Sequence, residues 1–377
     1  MLSDPAPRPP RCYDPAVAPY RDGDDSSVVH VHDYATIRAL LRDPLRVTAD
    51  VTETVSPADR DRLHPVSAFV WATDRRTMSG CPGRHGALRT AMASWFTASA
   101  ATARRDATRA TAGALAPEPG APFDVYHDYA LPVVVSSTAD WLGIDDADVT
   151  YAIADQLAQG EFFEHWPMLT TAEMDGYYRD VMARPRLGGV AAETRELVAS
   201  GVLTEREGWG ILYSLSVSTV ATAASVTLAA GLSVEHGTWE RMADPTHAGA
   251  AVEEAIRIGN PFPQASRFVR ESFQIGDVPV QPGDQVLMWL TAANRDLPGP
   301  HPQPFDRFDP DRDNTQHLGF GSGYHLCGGV HHVREVAVTT VTTLAERCPH
   351  LRPAAPWKRF VGIDDGYVAA PAETAAP

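Results

Sequence analysis

FGSGYHLCGG, Phe320 to Gly329, sets one cysteine in a loop with glycine at four of its ten positions. Glycine loses more conformational freedom on ordering than any other residue. A cluster of them marks backbone that turns sharply or that another group approaches closely. Cys327 in that setting is either a packed core thiol or a ligand. A helical pattern begins near Cys327 and runs to about Glu346. It would put the sulfur at the positive end of the helix dipole, which favours the thiolate. His317, Phe320 and His325 precede the cysteine, and the glycines around it would let a large flat group reach the backbone.

The bulk properties narrow the field. The chain has 377 residues, 44% hydrophobic and 21% charged, an ordinary soluble globular balance. The net charge of -16 comes with no basic stripe, so nucleic acid is not an expected partner. The cysteines are Cys12, Cys81, Cys327 and Cys348. They form no C-x-x-C pair and fit no zinc module or disulfide framework, which points to the reducing cytoplasm. The opening MLSDPAPRPPRCYDP lacks an apolar core, so no signal peptide is expected. Ile211 to Leu232 is apolar enough for a membrane span, yet its seven serines and threonines favour a buried helix. No membrane is expected.

Along the chain, residues 1–27 are rich in Pro, Asp and Arg and read as an irregular arm. Val28–Val31 reads as a strand and Tyr34–Leu41 as a helix. Residues 56–83 lack periodicity and read as a long loop, a feature that is often functional. Helical patterns follow over 84–115, 125–142, 148–159, 171–182 and 190–200. Thr204 and Glu207 form a T-x-x-E capping box that opens a helix to about Leu232, roughly 40 Å long. A further helix spans 247–258. Arg267 to Leu290 alternates around the turn QPGDQ and reads as a small antiparallel sheet. Residues 294–314 read as a meandering coil. The expected fold is mainly α with a minor β region, one domain over 1–377.

The loop meets the pattern F-x-x-G-x-x-x-C-x-G through Phe320, Gly323, Cys327 and Gly329. It resembles the haem-thiolate loop of the cytochrome P-450 superfamily, in particular its soluble bacterial members. Other segments agree in the same order. RHGALR carries His85 and Arg89 as H-x-x-x-R, and EEAIR carries Glu254 and Arg257 as E-x-x-R. QASRFVRE carries Arg267, and AANRDLPGP with PFDRFDPDR leads into the loop. The resemblance implies that haem b (iron protoporphyrin IX) lies between the long central helix and the helix after Cys327. Cys327 would be the axial ligand, whose electron donation favours O–O cleavage. His85, Arg89, Arg267 and His325 would pair with the haem carboxylates, since arginine matches a carboxylate through its planar fork. Phe320, Gly321 and Gly329 would line the cofactor. Glu254, Arg257 and Arg307 would form a buried structural network. His317 matches a histidine before the loop, and His331 and His332 read as surface residues.

Two departures follow from the same comparison. The first helix and strands look abbreviated. The central helix, LSVSTVATAAS, lacks the acid that usually precedes a threonine in proton delivery to dioxygen. The preferred register puts Ser218 at the acid position and Thr219 at the threonine; a shift by three uses Thr222. Neither register supplies a carboxylate.

Phe69, Val70, Trp71, Phe162, Phe163, Trp166 and Phe262, with the stretch FVGIDD, are candidate pocket walls. Their aromatic character favours a small aromatic substrate or another specialised metabolite. No reductase-like segment follows the loop, so electrons are expected from a separate ferredoxin-type partner. Arg84, Arg104, Arg105 and Arg334 would help to dock it. The expected activity is monooxygenation. The alternatives are oxidative coupling or cyclisation without oxygen insertion, and a non-catalytic haem sensor.

Overall fold

The structure, a computed structural model, describes residues 14–21, 27–49, 82–118, 120–158, 171–184, 188–298, 304–312, 316–361 and 365–374. The helices are α1 (Tyr34–Leu41), α2 (Pro82–Ala91), α3 (Ala98–Thr102), α4 (Arg105–Ala114), α5 (Leu131–Leu142) and α6 (Asp146–Ala158). They continue with α7 (Thr171–Ala183), α8 (Gly189–Ala199), α9 (Glu205–Glu235), α10 (Pro245–Gly259), α11 (Leu290–Ala293) and α12 (Val330–Arg347).

The centre is α9. Its start is fixed as the sequence reads: the Glu207 N–H donates to Thr204 Oγ1 (3.2 Å) and the Thr204 N–H to Glu207 Oε2 (2.8 Å). Its 31 residues give a rod of about 47 Å. It packs against α5, α6, α7, α8, α10 and α12. That environment explains why its apolar residues run all round the helix. It is long and apolar enough to cross a membrane by composition, but it is mostly buried inside the protein.

The strands lie to the sides of this bundle. β1 (Tyr20–Arg21), β2 (Val28–Val31), β3 (Val47–Thr48), β5 (Gln264–Val269) and β8 (Gln285–Trp289) form a five-stranded sheet in the order β1-β2-β8-β5-β3. β2 and β8 run parallel, with Val29 opposite Val286; the other pairs are antiparallel. Tyr20 and Arg21, inside the stretch read as irregular, thus form an edge strand. The buried side chains of Val29, Val31, Val286 and Met288 make a second core with Ile37 of α1. β6 (Phe273–Ile275) and β7 (Val278–Val280) are a hairpin.

Pairings near the C-terminus were not foreseen. β4 (Phe123–Asp124), β9 (Leu351–Pro353) and β12 (Pro371–Thr374) form one sheet, and β10 (Lys358–Val361) pairs with β11 (Asp365–Ala369).

The buried network on α10 corrects one expectation. Arg257 and Glu254 are fully buried and bidentate, at 2.7 and 2.8 Å. The third member is Arg312, whose Nε donates to Glu254 Oε1 at 3.2 Å. Arg307, the expected partner, is exposed, and its carbonyl accepts from Arg257 and Arg312. A coil has no period, so the backbone path decides which of its arginines turns inward. A second correction concerns α12. His331 is exposed as expected, but His332 is buried and stacked on Trp141 at 4.1 Å between centroids.

Candidate functional site

The cysteine loop explains its own glycines. Gly321 and Gly323 adopt φ of 74° and 70°, a region that L side chains rarely enter. A Cβ on Gly323 would lie 2.9 Å from the Leu41 carbonyl oxygen, and one on Gly328 2.6 Å from Arg89 Nη1. The loop closes through the Cys327 N–H, which donates to the Phe320 carbonyl at 2.9 Å. α12 starts at Val330, after Gly329, so Cys327 stands just before the helix rather than at its first residue.

Four of the expected carboxylate-binding residues gather beside this loop. His85 and Arg89 sit one turn apart on α2, and Arg267 comes from β5. The His85 ring lies 4.4 Å from that of His325 and 4.7 Å from that of Tyr324, and its Nε2 donates to the Tyr324 carbonyl at 3.3 Å. Arg267 and His325 line one small crevice with Tyr324.

The electrostatics are one-sided. Burial pulls the His85 imidazole below its ordinary value, and the charges of Arg89 and Arg267 add to this. Desolvation pulls the Arg267 guanidinium down to about 10. Its one hydrogen bond among the described residues goes to the adjoining Ser266 carbonyl, at 2.7 Å. Burial pushes the Cys327 thiol up, against the Gly329 amide and the charges of Arg89 and Arg334.

This cluster fits haem. Arg89 and Arg267 have no carboxylate partner among the described residues, and the buried His85 Nδ1 has no hydrogen-bond partner there. The two carboxylates of haem would meet both guanidiniums, and their charge would favour a proton on His85 Nδ1, which could then donate to them. Phe320, Gly321 and Gly329 belong to the same loop.

The two registers of the central helix differ in what their hydroxyls bond to. Thr219 is fully buried, and its hydroxyl donates to Thr138 Oγ1 of α5 at 3.2 Å. It is engaged in helix packing. The accessible stripe of this stretch of α9 is Ser214, Ser218 and Ala221, spaced four and three apart on one face. Thr222 borders it, and its hydroxyl donates to the Ser218 carbonyl at 3.1 Å. The Ser218 hydroxyl donates to the Leu215 carbonyl at 2.6 Å.

Among the other candidates, Phe262 is 47% exposed. Phe69, Val70, Trp71, Phe162, Phe163 and Trp166 lie outside the described residues. The side chains of the FVGIDD stretch and of Arg84 do so too. The other three arginines expected to dock a partner are engaged within the protein. Arg105 pairs with Glu335 and Arg334 with Glu253, while Arg104 lies over Trp141. Sequence reading gave no role to Glu253 and Arg312, although both lie inside segments it quoted, EEAIR and PFDRFDPDR, which was the available signal.

Comparison with known proteins agrees with this geometry. The family model "Cytochrome P450" matches residues 234–331, a span holding Glu254, Arg257, Arg267 and Cys327. Cytochrome P450 105C1 of Streptomyces sp is 32% identical over 244 residues, 63% of this chain and 64% of that protein. The erythromycin C-12 hydroxylase of Saccharopolyspora erythraea is 27% identical over 340 residues, 81% of this chain and 78% of that protein. The chain thus spans just under two thirds of the first relative's length. The structure of Mycobacterium smegmatis CYP164A2 with econazole bound superimposes with a TM-score of 0.80 at 22% identity, covering 95% of this chain and 93% of that one. Loop, cationic cradle, buried Glu–Arg network and fold agree: the chain belongs to the cytochrome P450 superfamily.

Proposed function

We propose that the chain is a haem-thiolate monooxygenase of the bacterial cytoplasm, acting on a small aromatic or specialised-metabolite substrate. The observation that carries this is the convergence of Arg89, Arg267 and His85, none with an anionic partner among the described residues, on the loop that presents Cys327. When bound, haem with an axial thiolate supplies dioxygen activation. The chain's own residues do the rest. Cys327 is the ligand, and Arg89, Arg267, His85 and His325 anchor the carboxylates. Ser218 and Thr222 each donate to a carbonyl of their own helix, which leaves their oxygens as acceptors for ordered water. In this reading that pair, rather than Thr219, holds the proton path. Phe262 remains a candidate contact for an incoming substrate. A separate ferredoxin-type protein supplies electrons.

Oxidative coupling is a second reading. The accessible stripe of α9 holds serine and alanine but no carboxylate, so a hydroxyl-and-water path lacks a built-in acid. A reaction that joins substrate radicals needs no inserted oxygen.

The test is spectroscopic. The reduced protein under carbon monoxide should show the red-shifted band of thiolate ligation, and Cys327→Ala should abolish it. A histidine-type spectrum from wild type would sink the proposal. Labelled dioxygen then separates the two readings, since only insertion puts label in the product.

A further inference from the structure

Behind the cysteine loop, a second set of groups joins α10 to α12. Glu253 precedes Glu254 of the core network but bonds to a different set of residues. Its Oε1 accepts from Arg334 Nε at 2.6 Å; its Oε2 accepts from Arg334 Nη2 at 2.7 Å and from His317 Nε2 at 3.0 Å. His317 Nδ1 accepts from the Gly319 N–H at 3.0 Å, so Nε2 carries the proton and the ring is neutral. The Arg334 guanidinium lies over the Phe320 ring, 5.1 Å from its centroid, and the His317 ring lies 5.8 Å from it.

The bracket is tight. A Cβ on Gly319 would meet Ile256 Cγ2 at 2.5 Å and His317 Nδ1 at 2.9 Å. Burial alone would raise the Glu253 carboxyl, but the hydrogen bonds from His317 and Arg334, with the charge of Arg334, outweigh it and hold the carboxyl down at about 2. Glu253 is therefore ionised. Opposite charges sit as a balanced pair behind the ring and the thiol.

We propose that Glu253 is a positioning residue for the Cys327 ligand, acting through Arg334, and that their charge balance sets the electron affinity of the centre. This rests on the haem-thiolate reading above. A cation beside a thiolate draws off part of its negative charge and favours the reduced iron. A carboxylate bonded to that cation cancels part of the effect. The side chain also fixes where the cation lies, because its two oxygens hold Arg334 by both prongs of the fork.

The test measures the ferric–ferrous potential of the haem-loaded full chain at pH 8, with the carbon-monoxide band and thermal midpoint recorded for each variant. Glu253→Gln keeps the shape and leaves the Arg334 cation uncompensated, so the potential should rise. Arg334→Gln leaves the carboxylate uncompensated, so it should fall. Each shift should be about tenfold in the equilibrium constant, equivalent to about 59 mV for one electron. The double variant should return close to wild type, and Arg334→Lys, which keeps the charge, should stay near it. A purely structural bracket would lower the thermal midpoint without opposite shifts. Shifts of one sign, or none, in two variants that retain the thiolate band overturn the proposal. If one single variant loses haem, Arg334→Lys decides. A potential near that of wild type supports the proposal, and a potential well below it overturns it. A wild-type protein without the thiolate band defeats the haem-thiolate reading itself, and this inference with it.

Discussion

The hydroxyl of Thr219 donates to Thr138 Oγ1 across the contact between α9 and α5, 3.2 Å away and fully buried. That bond commits the side chain to helix packing, while Ser218 lies on the accessible face and Thr222, itself buried, lies beside it. Thr219→Ala should therefore cost about 1–3 kcal/mol of stability, because it leaves the Thr138 hydroxyl without this partner. It should leave coupling of electrons to product unchanged. Thr222→Ala should do the reverse, raising hydrogen peroxide per electron severalfold with little loss of stability. Peroxide yield and denaturant midpoints measured on both variants check this; uncoupling in Thr219→Ala alone would restore the other register.

Arg89 and Arg267 each bring a guanidinium to the loop without a carboxylate among the described residues to meet it. Arg89→Gln and Arg267→Gln should each weaken haem retention by about 1.5–3 kcal/mol, the value of a charge-assisted hydrogen bond. Haem transfer to an acceptor apoprotein should speed up by roughly 10- to 100-fold. Unchanged transfer in both variants would mean that these side chains serve another anion.

The buried Glu254 accepts from both Arg257 and Arg312. Arg312→Ala removes one of two guanidiniums from a carboxylate with no access to water, and should cost about 3 kcal/mol. Arg307→Ala, at an exposed position, should stay within about 0.5 kcal/mol. Urea denaturation of the two variants ranks them, and a larger loss in Arg307→Ala would reverse the assignment.

How much of this was legible follows from which signals are periodic or local. The capping box at Thr204 and Glu207 is local chemistry, and it formed as read. The loop around Cys327 carried its own pattern, and the E-x-x-R pair shares a helix face by spacing alone. Arg307 and Arg312 could not be ranked, since both lie in coil. Thr219 and Thr222 share one side of a helix by spacing; only the position of Thr138 separates their roles. The pairing of β12 with β4 joins Ala372 to Phe123, more than two hundred residues away, and no local pattern records that. His331 and His332 differ by one residue, about 100° around the helix, and that angle alone buries one and exposes the other.

His332 is the consequential case. Its ring stacks on Trp141 at 4.1 Å, and the Arg104 guanidinium lies over the same tryptophan. Burial, with the Arg104 charge adding to it, pulls the imidazole from 6.5 to about 3. The folded state therefore keeps His332 neutral, while the unfolded chain takes up a proton below 6.5. Between those values the unfolded state binds more protons, so stability falls as pH falls. The slope approaches about 1.4 kcal/mol per pH unit until the folded state also protonates. His332→Phe keeps an aromatic ring against Trp141 and removes the titration. At pH 7.5 the two proteins should be of similar stability. By pH 4.5 the variant should be the more stable by about 2–3 kcal/mol. Urea midpoints taken at each pH give the difference directly, and the carboxylates common to both proteins cancel in it. A difference that does not change between pH 7.5 and 4.5 would show that His332 charges within the folded protein, and that its burial against Trp141 is looser than the stacking distance implies.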